Sequence, residues 1–233
     1  MPRASKPTAP RASARGVLRP AAELEAIARA LEAAFERAPQ APILDLMAAQ
    51  ACDPYQILVG TLLSARTKDQ TTAAALGRLF PAAPTLEALE ALPLEQLEQL
   101  IFPVGFYRAK ARHLHALPEV IRTRFGGEIP RTVEALTELP GVGRKTANLV
   151  VTLAFGLPAI CVDTHVHRIN NRLGIVRTQT PLETEMALRA GLPQKLWAAW
   201  NRIFVSFGQT CCKPVGPQCG GCPVRAFCLA PRG

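Results

Sequence analysis

Four of the seven cysteines in this 233-residue chain lie near its C-terminus, spaced Cys212-x6-Cys219-x2-Cys222-x5-Cys228. Thiolates this close together in a short loop converge on one centre, and four of them are the full complement for an iron–sulfur cluster or a closed zinc site. A zinc ribbon uses two Cys-x2-Cys knuckles, whereas only Cys219 and Cys222 form one here. The looser outer spacings fit a larger cubane cluster better and leave zinc as the alternative. Disulfides are disfavoured by the odd total of cysteines, by the lack of an apolar secretory segment at the start, and by the leftover thiols Cys52, Cys161 and Cys211. Cys52 and Cys161 read as small buried hydrophobes, while Cys211 directly precedes Cys212 and offers a second register for the ligand set.

The rest of the chain reads as helix. Hydrophobic residues make up 48% of it, aromatics are scarce, and glycines and prolines fall between periodic stretches. Leu24, Ile27, Leu31 and Phe35 recur at helical spacing, predicting a helix over 22–37. Asp53-Pro54 supplies a cap and a first-turn proline for a second helix through Leu63. Further helices are predicted over 67–80 (ending at Pro81), 85–92, 94–101, 109–125 (stopped by Gly126-Gly127), 132–138, 146–155, 164–173, 181–190 and 194–207. No stretch alternates long enough to demand a strand, so the expected class is all-α. No apolar run reaches the roughly 18 residues of a membrane span, and a soluble protein is expected.

Charge is segregated along the chain. The net charge is +9, yet residues 1–20, 141–178 and 195–233 each hold five basic side chains and at most one acidic one. Basic character thus gathers around a glycine-rich turn and the cysteine loop, as expected of a face that binds a polyanion. Residues 1–21 read as a disordered basic arm: Arg, Ser, Ala and Pro without acids. Its prolines interrupt the amphipathic helix that an organellar targeting signal requires, so a cytoplasmic location is expected.

The run Leu139-Pro-Gly-Val-Gly-Arg-Lys-Thr-Ala-Asn148 joins two predicted helices. Gly141 and Gly143 permit a tight hairpin and a close backbone approach, and the first N–H groups of the following helix then point outward, where they bind phosphate. Arg144 and Lys145 add charge to that site. Arginines outnumber lysines 21 to 6, so a lysine at 145 hints that a deprotonatable amine is wanted, since arginine supplies charge but no nucleophile. A plain phosphate contact is the alternative for Lys145. Eighteen residues on, Asp163 precedes the helix that begins Thr-His-Val-His-Arg168. It is an N-cap by type, and it is also a carboxylate able to take up protons if the two helices meet. His165 and His167 lack further ligands nearby and read as surface or packing residues.

These three motifs, in this order, resemble the endonuclease III family of the helix-hairpin-helix DNA glycosylase superfamily over roughly residues 25–230. The resemblance implies a four-iron, four-sulfur cluster held by Cys212, Cys219, Cys222 and Cys228. It implies two helical lobes: a barrel of residues 47–157 containing the hairpin, and a cluster domain of residues 22–46 and 158–233, with DNA in the groove between them. It further implies a monomeric base-excision-repair enzyme acting on double-stranded DNA with damaged pyrimidines or abasic sites. There Lys145 would attack the sugar C1′ of a flipped nucleotide, with help from Asp163, and form a Schiff base that β-eliminates. Leu63-Ser-Ala-Arg66-Thr-Lys-Asp69-Gln70 and Val104-Gly-Phe106-Tyr-Arg-Ala-Lys110 resemble the family's two wedge loops, with Arg66 and Phe106 at the inserting positions and Asp69 as a structural hydrogen-bond partner. The family usually has glutamine and leucine at those two positions, so the opposite-base preference is left open. A monofunctional mismatch glycosylase and a non-catalytic DNA-binding module are the competing readings.

Overall fold

The computed structural model describes residues 16–35, 47 and 53–230. Most of the predicted basic arm and Cys52 lie outside these residues. Among the described residues the regular structure is helical: α1 Ala21–Phe35, α2 Pro54–Ser64, α3 Asp69–Ala82, α4 Leu86–Ala91, α5 Leu94–Ile101, α6 Tyr107–Phe125, α7 Val133–Leu136, α8 Arg144–Phe155, α9 Thr164–Arg172, α10 Pro181–Gly191 and α11 Trp197–Thr210. Side-chain caps start many of them. The Asp53 carboxylate accepts from Gln56 N–H, and the hydroxyls of Thr85, Thr132 and Thr180 accept from Ala88, Ala135 and Glu183. Each such cap is worth about 1 kcal/mol. No helix among the described residues is long and apolar enough to cross a membrane.

Several predicted boundaries move, among them the starts of α3 and α8 and the end of α11, each by two or three residues. Helix α3 runs through Pro81 to Ala82, because proline's own φ is helical and the one bond it forgoes falls to the carbonyl of Gly77, an exposed residue that water can reach. Helix α6 starts at Tyr107, two residues before the predicted start, on a left-handed Phe106 whose carbonyl accepts the first helical bond from Lys110. The segment Gln194–Leu196 is a 3₁₀ turn that leads into α11.

Two apolar clusters organise the fold. The first gathers buried side chains from Met47 to Ala159. Helix α2 is its axle, with Tyr55, Ile57, Leu58, Val59, Leu62 and Leu63 all buried, and it packs most extensively on α8. The second joins Leu24, Ile27 and Leu31 of α1 to side chains between Ile160 and Val224. Trp200, Phe204 and Phe207 of α11 are fully buried there, each worth about 1.5–3 kcal/mol or more in transfer from water. The Trp200 indole N–H donates to Asn170 Oδ1 at 3.3 Å, so its one polar atom is satisfied. Ala159 belongs to the first cluster and its neighbour Ile160 to the second. The chain therefore crosses between lobes just before Asp163.

Candidate active site

Helix α7, the turn Leu139–Gly143 and helix α8 form the helix-hairpin-helix. Val142 N–H donates to the Leu139 carbonyl at 3.1 Å and Ala147 N–H to the Gly143 carbonyl at 2.9 Å, closing the turn and opening α8. Gly141 takes φ +75°, and a Cβ there would sit 2.5 Å from the His113 ring, so both conformation and space require glycine. Gly143 is extended and faces open space. No side chain caps the N-terminus of α8, which leaves its first N–H groups available to an anion.

Lys145 stands in the first turn of α8, on the first lobe, and Asp163 caps α9, on the second. The Asp163 carboxylate divides its labour: Oδ1 accepts from the His165 and Val166 amides at 2.9 Å each, while Oδ2 lies 3.5 Å from Lys145 Nζ. Asp163 is largely shielded, whereas the lysine is about half exposed. An amine within reach of solvent beside a fixed carboxylate suits a nucleophile that must approach a substrate and hand off a proton. Cys161 is buried behind the pair with its thiol toward the Lys145 carbonyl at 3.8 Å, and burial pushes it up to about 12, so it stays a neutral packing residue.

The Arg144 guanidinium binds Glu185 of α10 through Nε at 3.1 Å and Nη2 at 2.7 Å, with Glu134 of α7 a further 3.7 Å from Nη2. Glu185 is only 3% exposed, and a carboxylate so deeply set needs a cation close by. The pair raises the Arg144 pKa still further and ties the two lobes together beside Lys145. The Arg144 guanidinium is thus held by a carboxylate of the second cluster's helix α10, beside the N-terminus of α8.

Arg66 and Phe106 both adopt left-handed φ values, 54° and 59°. Phe106 is 65% exposed, and the Arg66 guanidinium lies over its ring, 5.7 Å from the centroid, within cation–π range. The structure thus brings the two residues together at one exposed tip. Asp69 is the exposed first residue of α3.

The four C-terminal cysteines and Cys211 line one cavity of about 330 Å³ together with Arg172, Leu173, Phe207 and Arg225. No group of three or more His, Cys, Asp or Glu among the described residues is arranged to hold a metal ion. A polynuclear group with soft donors fits a sulfur-lined cavity of this size better than one zinc ion does. Arg172 Nη1 donates to Cys212 Sγ at 3.5 Å and to the Lys213 carbonyl at 2.7 Å, and Arg168 Nη2 donates to the Cys212 carbonyl at 2.8 Å. Both arginines project from α9, the helix that Asp163 caps. Nothing in their sequence context had marked either as a loop anchor. His165 bonds Arg168 at 3.2 Å and His167 bonds Thr184 at 2.7 Å, so both histidines are packing residues, as expected.

The match to known proteins follows this geometry. Residues 59–194 match the HhH-GPD superfamily base excision DNA repair protein family. The chain is 45% identical over 176 residues to endonuclease III of Thermotoga maritima, covering 76% of this chain and 83% of that relative. The chain belongs to the endonuclease III family. Within the same family, endonuclease III-like protein 1 of Bos taurus is 41% identical over 204 residues, covering 83% of this chain and 67% of the relative. Two solved endonuclease III structures share its fold. A non-covalent endonuclease III–DNA complex matches at TM-score 0.78 and 36% identity over 91% of this chain and 96% of the other. A trapped endonuclease III–DNA covalent intermediate, an estranged-adenine complex, matches at 0.77 and 35% over 91% and 97%.

Proposed function

We propose that this chain is a bifunctional DNA glycosylase and abasic-site lyase that removes oxidised pyrimidines from duplex DNA in base excision repair. The observation that carries the proposal is the approach of Lys145 Nζ to within 3.5 Å of Asp163 Oδ2 at the mouth of an uncapped helix. The endonuclease III–DNA complexes among its structural neighbours support a DNA substrate.

In this reading the N–H groups opening α8, with Gly141 and Gly143, hold the backbone of a strand whose damaged nucleotide has been turned out of the stack, since a base inside a duplex is beyond reach. The Lys145 amine attacks C1′, the C1′–N bond to the base breaks, and the base leaves with the bonding electrons and takes up a proton. Asp163 accepts the proton that the nitrogen sheds and opposes the positive charge on the sugar. The nitrogen lone pair then opens the sugar ring, breaking C1′–O4′ as O4′ takes up a proton; the iminium so formed acidifies C2′, loss of that proton expels the 3′ phosphate and nicks the strand, and water then releases Lys145. Arg66 and Phe106 occupy the gap left in the duplex.

The first cluster, which runs on to Ala159, is the barrel lobe, and the second, from Leu24, Ile27 and Leu31 with Ile160 onward, is the cluster lobe, with DNA seated along the groove that Lys145 and Asp163 span. Cys212, Cys219, Cys222 and Cys228 would hold a four-iron, four-sulfur cluster, which when bound cross-links the loop at four points and offers a one-electron centre. The enzyme acts as a monomer on chromosomal DNA in the cytoplasm. Incubating the protein with duplexes bearing thymine glycol, an abasic site or an adenine mismatch, with and without borohydride, tests the proposal. Excision of thymine glycol with a trapped protein–DNA adduct supports it. Release of mismatched adenine without an adduct would instead mark a monofunctional glycosylase.

A further inference from the structure

Lys110 lies on α6, one turn after Phe106, yet the residue is only 8% exposed. Its ammonium reaches across to the other tip loop. Nζ donates to the Leu63 carbonyl at 2.8 Å, to the Ala65 carbonyl at 2.6 Å and to Thr67 Oγ1 at 3.1 Å. Those carbonyls lie at the C-terminal end of α2, where a cation is favoured by the helix dipole, and the Ala65 carbonyl also accepts from Thr67 Oγ1 at 3.3 Å. Burial pushes the lysine down to about 8, so near neutral pH it still carries the charge and the three protons that match three acceptors.

Thr67 completes the join. Its Oγ1 also accepts the Gly105 N–H at 3.2 Å, so one hydroxyl bonds both the lysine and the loop before Phe106. The contact is close: a Cβ on Gly105 would fall 2.6 Å from the Arg66 carbonyl oxygen. Arg66 and Phe106 each hold a left-handed backbone, which a bulky residue rarely adopts and which persists only where the surroundings leave no alternative. The buried bonds of Lys110 and Thr67 supply that constraint to both residues at once.

We propose that Lys110 is a positioning residue that fastens the Leu63–Thr67 loop to the start of α6, so that Arg66 and Phe106 meet DNA as one preformed unit. The inference rests on the reading above in which those two side chains enter the duplex. It adds the reason they act together: binding does not have to order two separate loops, and that saving is realised only where bases must be unstacked.

The test uses Lys110→Met, which cannot donate, and the milder Thr67→Val, which removes the shared hydroxyl while keeping volume. Amide hydrogen exchange is measured on the free proteins, and kinetics on two duplexes, one with thymine glycol paired with adenine and one with an abasic site. Both substitutions should raise exchange at residues 63–67 and 104–108 by about tenfold or more, with other helices unchanged. They should lower kcat/KM on the paired lesion about tenfold more than on the abasic site, and Lys110→Arg, which keeps donors, should recover part of the loss. Unchanged exchange in both loops, while Phe106→Ala still impairs the paired lesion, overturns the clamp and leaves the wedge reading intact. Raised exchange in variants whose activities on the two duplexes fall equally, with Phe106→Ala equally indifferent, overturns the wedge reading itself.

Discussion

Asp163 reaches Lys145 across the junction of the two lobes with one carboxylate oxygen while the other oxygen holds the start of α9. The chemistry and the local fold thus share a side chain, and substitutions can pull the two roles apart.

Lys145→Arg keeps the positive charge and removes the amine. Strand cleavage and borohydride trapping should be abolished, while binding to abasic DNA stays within a few-fold. Survival of a covalent adduct in that variant, seen as a shifted band on a denaturing gel, would assign the nucleophile elsewhere.

At Asp163 the two roles separate by choice of residue. Asn also caps well, so Asp163→Asn should melt close to wild type while base excision falls by roughly 10²–10⁴-fold, the usual worth of a general acid–base group. Asp163→Ala should lose as much activity and in addition about 1 kcal/mol of stability, measured by urea denaturation. Equal melting of the Asn and Ala proteins would show that the cap contributes nothing.

The cysteine cavity predicts a brown protein with about four irons per chain. Cys219→Ser should lower the iron content, increase proteolysis of the loop after α11, and weaken DNA binding. One tightly bound zinc and no iron in anaerobically purified protein would replace the cluster with the zinc alternative.

At the exposed tip, Arg66 offers donors and no acceptor, whereas glutamine offers both. Arg66→Gln should therefore change the preference among the four bases opposite a lesion, measured as relative kcat/KM. Phe106→Ala should impair excision from paired duplexes far more than cleavage at an abasic site. An unchanged opposite-base preference would reduce Arg66 to a backbone contact.

Burial lowers the pKa of His165 and His167 below the usual 6.5, and neighbouring Arg168 adds to the effect at His165. The unfolded chain therefore binds more protons than the native one as pH falls through 6.5, so stability present above that value is lost on acidification. A His167→Gln variant should show a smaller drop in melting temperature between pH 7.5 and 5.5 than wild type. A parallel drop in both would remove His167 as a source.

Much of this was legible in the sequence because it is local. The Asp53 cap, the stop at Gly126 and the hairpin glycines act within a few residues of themselves, and each appears where the pattern placed it. The pairing of Lys145 with Asp163 was legible only through the resemblance, since nothing in the spacing says that two helices meet. What escaped was set by distant partners. The Arg144 partner Glu185 lies 41 residues away. The role of Lys110 is not visible in the sequence because its acceptors lie more than 40 residues earlier in the chain.

Helix α9 is capped by the Asp163 carboxylate at its start and carries two arginines that grip the cysteine loop, Arg168 midway along it and Arg172 at its end. A nine-residue helix is a stiff rod only about 13 Å long, so slack at one end is felt at the other. Arg168 and Arg172 find their carbonyl partners in residues 212–214, some 40 residues later in synthesis. The bracing of the helix that Asp163 caps therefore waits on that later stretch of the chain.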